Sequence, residues 1–329
     1  MVEPSTIGHP VITGLLRQAV IRDRMPQTVL MAGPAGVGKF TTALALAKAL
    51  NCTGVVDGVA CGRCGVCERI ARGQFSDVVV INRGDLASIS IKVVREKVLA
   101  PIGYRPFEGR KRVFIVDGAD DLTWEAQDSL LKTLEEPPPA AVLILIATSP
   151  DALKATVLSR CRRLRFGNLT DADVARVLVE RLGMDPASAR SRAAIAGGSV
   201  GQALAIDGGT LEDDRETAAA LLEASAGTSL GPRLKAAAAL ATVEKKRRSR
   251  EAVSTRLAHL SSMLRDLGIS AAGDAPLANQ DMADTLSRIA RAFPPDRLIQ
   301  AFGVVARAQN ALDRNASAKI VADWVAVGL

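Results

Sequence analysis

The sequence predicts an α/β domain on a parallel sheet, then a small helical segment, then an all-helical C-terminal region. Three observations predict it. Apolar, β-rich runs alternate with helix-like segments through the first half, a glycine-rich loop joins the first run to a helix, and strand signals stop after Gly167. Runs that are apolar throughout suit strands covered on both faces, as in parallel sheets, and their alternation with helices gives the α/β class.

TVLMA (Thr28–Ala32) reads as the first strand and runs into the glycine-rich loop; residues 41–50 carry good helix formers. DVVVI (77–81), RVFIV (112–116) and VLILIA (142–147) read as further strands. Residues 123–136 read as a helix stopped by Pro137-Pro138-Pro139. Beyond Gly167, Thr170 followed by Asp173 reads as a helix cap, and Val174, Leu178 and Leu182 recur at helical spacing. Residues 185–196 and 200–206 read as two more short helices, each followed by a Gly-Gly pair. From Leu211 onward only helix signals remain, with Leu298, Phe302, Val305 and Leu312 marking one amphipathic face. The expected domains are 1–167, about 168–210 and about 211–329.

Apolar residues are 48% of the 329, which excludes a disordered chain; with only 3% aromatics, the core must be built from Leu, Val, Ile and Ala. The longest apolar run, 140–147, falls far short of the ~20 residues of a membrane span. The start, MVEPSTIGHP, lacks the regions of a signal peptide, so a cytoplasmic protein with no membrane partner is expected. Lys and Arg outnumber Asp and Glu by 42 to 35. That excess suits polyanionic partners or simply a basic surface. The densest charge run, EKKRRSRE (244–251), reads as a solvated helix face or as a phosphate-contacting patch.

Gly33-Pro34-Ala35-Gly36-Val37-Gly38-Lys39 follows a strand and opens a helix, the context of a phosphate loop. Gly33, Gly36 and Gly38 let backbone N–H groups wrap phosphate oxygens, and Lys39 would reach the β- and γ-phosphates. The next position needs a Ser or Thr hydroxyl for Mg²⁺, but it holds Phe40; Thr41 is rotated ~100° around the helix. Asp117 ends an apolar strand as a Walker B acid does, yet Gly118 follows where ATPases of this type usually carry a catalytic Glu. These two losses predict a degenerate nucleotide site, with ATP and Mg²⁺ doubtful there and no hydrolysis expected; an unusual active ATPase is the alternative.

Four of five cysteines cluster as Cys52-x8-Cys61-x2-Cys64-x2-Cys67. Four thiolates close a tetrahedral zinc shell with no position left for substrate, so a structural Zn²⁺ in residues 50–70 is expected; an iron–sulfur cluster or no metal are the alternatives. Cys161 stands apart.

LLKTLEEPPP (130–139) after the Walker B strand, ATSPDALKATVLSRC (147–161) after the next, the degenerate phosphate loop and the cysteine insert together resemble the AAA+ clamp-loader subunits of bacterial DNA polymerase III. The resemblance covers essentially the whole chain, most strongly 8–166. The lost Walker residues and the ending QNALDRNASAKIVADWVAVGL look like the delta prime type rather than the gamma/tau ATPase, and 329 residues leave no room for tau's extension. The resemblance implies a AAA+ domain, a helical lid and a helical oligomerisation collar. It implies gamma/tau and delta subunits as partners, with the β sliding clamp and primer-template DNA engaged through them. In that family the Arg of the Ser-Arg-Cys triplet, here Arg160, projects into a neighbour's ATP site, and Thr148 or Ser149 lies where the family places a nucleotide-sensing hydroxyl. An active gamma/tau-type ATPase and a DNA-repair AAA+ protein are the alternative functions.

Overall fold

The computed structural model describes residues 7–84, 86–205, 211–227, 229–242, 249–272, 277, 279, 282–313 and 316–329. The chain packs as two compact units, one of Met1–Asp173 with Ser199–Gly201, the other of Val174–Gly198 with Gln202–Leu329.

The first unit is built on five strands: β1 (Thr28–Ala32), β2 (Val78–Ile81), β3 (Arg112–Asp117), β4 (Ala141–Ala147) and β5 (Arg162–Arg165). Their order is β2-β3-β4-β1-β5, and every pairing is parallel. β1 and β4 are buried along their whole length because alternate side chains enter different cores. Leu30, Phe114, Val116, Leu143 and Leu145 pack with Ala126, Leu130 and Leu134 of the helix Trp124–Glu135. Val29, Met31, Val113, Ile115, Val142, Ile144 and Ile146 pack on the other face, with Ile12 and Leu16 of the helix Pro10–Ile21 and Leu46 and Leu50 of the helix Lys39–Asn51. Two-sided burial is why these strands read as unbroken apolar runs.

The sequence reading missed β5. RRLR carries one apolar residue, Leu164, and only that side chain is buried. A polar edge strand of this kind has no hydrophobic signature, because its arginines face water. β2, the opposite edge, is only partly buried, unlike the strand covered on both faces that its apolar run predicted.

The second unit shows helices only, among the described residues, from the helix Pro186–Ile195 to the helix Ala318–Gly328. Its main core joins Leu221, Leu240, Leu257, Leu264, Val305 and Val325. Two sequence expectations need correction. On the helix Pro295–Asp313 the buried face runs through Ala301, Val305, Ala308 and Leu312, while Phe302 is 44% exposed. On the helix Asp171–Leu182, Val174 and Leu178 are buried but Leu182, at the last turn, is exposed. Both misplaced residues flank a real apolar stripe at helical spacing, and spacing alone does not define the stripe's width. Thr170 caps its helix as expected: its hydroxyl accepts from the Asp173 amide and donates to the Asp173 carboxylate. Most of the basic run 244–251 lies outside the described residues.

Buried polar groups fix the loops around the sheet. The Asp77 carboxylate, 0% exposed, accepts from the amides of Phe107, Glu108 and Gly109 and faces Arg112 at 3.6 Å. Burial pushes this carboxyl up, but the three amides and Arg112 outweigh it and hold it below the ordinary carboxylate range. A lowered value means the stabilisation is complete above the unfolded carboxyl's ~3.9 and is lost as pH falls through the lower folded value. Asp77→Ala is expected to cost about 3 kcal/mol, because it orphans three amides and removes the charge that faces the largely buried Arg112, which keeps its bond to the Pro101 carbonyl. Denaturant titration at neutral pH checks it, and a loss within about 0.5 kcal/mol of zero would contradict it.

Candidate functional site

Three groupings in the first unit carry the chemistry: the glycine-rich loop with the acids facing it, the cysteine cluster, and the surface around Arg160.

The loop joins β1 to the helix Lys39–Asn51, whose N-cap is Gly38. Gly33 has φ +151, and a Cβ there would stand 2.2 Å from the Phe166 carbonyl oxygen, so only glycine fits. The Gly36 carbonyl accepts from the Gly201 amide at 3.2 Å. Lys39 is buried, and its Nζ donates to the carbonyls of Gly33 (2.6 Å) and Pro34 (2.5 Å). Burial lowers its pKa, partly offset by the charges of Asp120 and Asp117. Asp117 at the end of β3 is in turn pushed up by burial, against the pull of Lys39. Gly33, Gly36, Gly38, Lys39 and Asp117 thus form one neighbourhood.

The metal and base positions are different. Phe40 follows Lys39, Thr41 is exposed, and the Thr42 hydroxyl donates to the Gly38 carbonyl at 2.8 Å. Gly118 sits at φ +83, and a Cβ there would stand 2.8 Å from Asp121 Oδ2. A glutamate would therefore be strained by the backbone there, as well as being missing from the sequence. The nearby acids are committed elsewhere. Asp120 Oδ2 accepts from the amides of Thr148 (3.1 Å) and Ser149 (2.9 Å), and Asp121 faces Arg83 at 3.5 Å. Sequence proximity to Asp117 is the only local signal that marks Asp120; its partners, just beyond the end of β4, are tertiary. This set does not fit a magnesium-bound nucleotide poised for hydrolysis. Gly118→Glu is expected to leave ATP turnover of the isolated chain at background and to cost roughly 1–2 kcal/mol of stability. Steady-state phosphate release and thermal melts check both.

Cys52, Cys61, Cys64 and Cys67 converge, with all four sulfurs within 4.8 Å of one another. Cys52 Sγ lies 3.5 Å from Cys61 Sγ and 3.9 Å from Cys64 Sγ. Sulfurs at ~2.3 Å around a tetrahedral zinc stand ~3.8 Å apart, so the donor set fits that ion. All four are free thiols rather than disulfides. Amides of Gly54 and Cys61 donate to Cys52 Sγ, and the Cys67 amide donates to Cys64 Sγ, which caps the helix Gly65–Ala71. Burial acts to raise the Cys64 thiol, but donors from Cys67 and Thr53 bring it down to about 6, favouring the thiolate a metal requires. The module is tied to the domain by Arg110, whose Nη2 donates to the carbonyls of Ala49 and Cys52, and by the two-pronged Arg69–Glu108 pair.

Ser159-Arg160-Cys161 connects the short helix Ala155–Leu158 to β5. The Arg160 carbonyl accepts from the Thr28 hydroxyl at 2.8 Å, fixing the backbone to the start of β1. Gln127 on the helix Trp124–Glu135 bonds the Ala152 carbonyl and the Lys154 amide, securing the loop that leads to the triplet. The Arg160 side chain is 33% exposed. Cys161 packs partly buried against the sheet core, and burial pushes its thiol up to about 11.

A parallel sheet in this strand order, with the glycine-rich loop after β1 and an acid ending β3, defines a P-loop protein of the AAA+ class. A family model described as DNA polymerase III, delta subunit, matches residues 8–170. Residues 8–170 belong to that family, the delta prime type of DNA polymerase III clamp-loader subunit. The tau subunit of DNA polymerase III from Bacillus subtilis is 33% identical over 206 residues, 61% of this chain and 36% of that protein. The tau subunit from Escherichia coli is 30% identical over 228 residues, 68% of this chain and 35% of that protein. The chain thus spans about a third of the length of these curated relatives. A solved gamma-subunit-related protein from Thermotoga maritima aligns over 90% of this chain and 99% of its own at 17% identity and a TM-score of 0.39, a likeness too distant to add to the argument. Among the described residues no helix is long and apolar enough to cross a membrane.

Proposed function

We propose that this chain is the stator of the clamp loader: it completes the loader ring with gamma/tau and delta subunits and supplies Arg160 in trans to a neighbouring ATPase. The loader then opens the β sliding clamp and places it on primed DNA. On this reading residues 1–167, 168–210 and 211–329 serve as nucleotide-fold domain, lid and collar, and the four cysteines hold a structural Zn²⁺. The observation that carries the reading is the mismatch between two sites. The chain's own loop lacks the metal hydroxyl at Phe40 and the base at Gly118, while Arg160 stands partly exposed on a backbone tied to β1. A guanidinium so placed can offset the charge that develops on a transferring phosphoryl group. Reconstitution with gamma/tau and delta, followed by DNA- and clamp-stimulated ATPase measurement, tests it. A loader fully active without this chain would overturn the reading.

A second reading is favoured by one observation: the two curated relatives described above are tau subunits, which points to an active ATPase of that type. ATP turnover by the purified chain, abolished by Lys39→Ala, would establish it. The expected result is turnover at background.

A further inference from the structure

We propose that Glu135 is a positioning residue for Arg160, holding its guanidinium ready for a phosphate group presented by a neighbouring subunit. The proposal rests on the reading of Arg160 as supplied in trans.

Glu135 is the last residue of the helix Trp124–Glu135. Its Oε1 accepts from both Arg160 Nε (2.8 Å) and Nη2 (2.5 Å). On the other side, Nη1 donates to the Thr156 carbonyl at 2.9 Å and reaches the Ser159 hydroxyl at 3.3 Å. With the Arg160 carbonyl tied to Thr28, both ends of this long side chain are held.

Fold stability does not account for the pair. Arg160 and Glu135 are 33% and 50% exposed, and ion pairs so open to water contribute little. A carboxylate on the last turn of a helix also faces the negative end of the helix dipole. Orientation does account for it. Free arginine side chains sample many rotamers, and ordering one at the moment of reaction adds to the barrier. Glu135 and Thr156 impose that order beforehand.

The arrangement still leaves room for a ligand. A guanidinium has five N–H donors, and the contacts above occupy four. The longest of these, to Ser159 Oγ, is the easiest to exchange. A phosphate oxygen replacing it, beside a second on the remaining Nη2 hydrogen, would make a two-pronged grip with the Glu135 pair intact.

The test uses the assembled loader with clamp and primed DNA, with complex formation checked by size-exclusion chromatography. Glu135→Ala is expected to lower kcat at the dependent site about three- to thirtyfold, the range expected from freeing one arginine side chain, with KM for ATP little changed. Glu135→Gln keeps an acceptor oxygen and is expected to retain most of the rate. Glu135→Ala combined with Arg160→Ala is expected to be no slower than Arg160→Ala alone. An unchanged or raised kcat in Glu135→Ala, where Arg160→Ala does slow the loader, overturns the positioning role and leaves the trans role standing. An unchanged rate in Arg160→Ala overturns both.

Discussion

Replacing Arg160 with alanine is expected to slow ATP hydrolysis by the assembled loader while leaving this chain's fold and ring assembly intact. An arginine supplied in trans is worth ~10³–10⁵ in rate at the site it completes. On the proposed reading this chain completes one ATP site among several, so the total loss should be partial unless the sites fire together. Arg160→Lys is expected to rescue incompletely, because an ammonium cannot reproduce a planar, two-pronged contact. The substitution removes a side chain one-third exposed whose ion pair is open to water, so thermal melts of the isolated chain should move little. DNA- and clamp-stimulated ATPase of the rebuilt loader is the decisive measurement. Wild-type rates in a fully assembled mutant complex would reduce Arg160 to a contact within its own domain.

The second large effect is expected at the cysteine cluster. Chain purified without chelators should carry about one zinc, and Cys64→Ser or Cys67→Ser should release it. Structural zinc binding in small modules is worth ~10–16 kcal/mol and is coupled to local folding. Beyond the Arg110 and Arg69–Glu108 ties to the domain, residues 50–70 are held by a single isolated bridge between Val56 and Val59, one short helix, and a small cluster that includes the cysteines themselves. Hydrogen exchange should therefore rise across 50–70 on metal loss. The helices of the second unit, with a separate apolar core, should keep their protection. Metal analysis showing no zinc would sink the idea, and unchanged exchange after Cys67→Ser would show that the module stands without its ligands.

These effects separate two kinds of site in one nucleotide-fold domain. The chain's own loop keeps the glycines and the lysine that give it shape, but Phe40 and Gly118 stand where reaction chemistry is needed. The structure adds that the nearby acids have other partners: one Asp120 oxygen holds the amides of Thr148 and Ser149, and Asp121 faces Arg83. On the proposed reading the loop serves as architecture, and the chemistry this chain contributes is that of Arg160 at its surface.

The sequence by itself determined the four apolar strands, the two helices read at 41–50 and 123–136, the phosphate loop with its two defects, and the spacing of the four cysteines; the helices Pro10–Ile21 and Gly65–Ala71 went unread. Each feature read is a local signal: two-sided burial writes an unbroken apolar run, a loop that wraps phosphate needs glycines at fixed offsets, and metal ligands on a short insert keep a short spacing. Tertiary structure alone decided the rest. β5 pairs with β1 although RRLR has almost no apolar content, because backbone hydrogen bonds and a single buried Leu164 suffice at an edge. Phe302 lies outside the stripe its spacing suggested, because neighbouring helices choose which part of an amphipathic face they cover. Asp77, Asp120 and Glu135 look alike in sequence as acids near turns. What separates them is partners 25 to 32 residues away: loop amides for the first, the end of β4 for the second, and Arg160 for the third. A carboxylate's role is set by the donors that the fold brings within hydrogen-bonding distance, and a single sequence does not encode that distance in any local pattern.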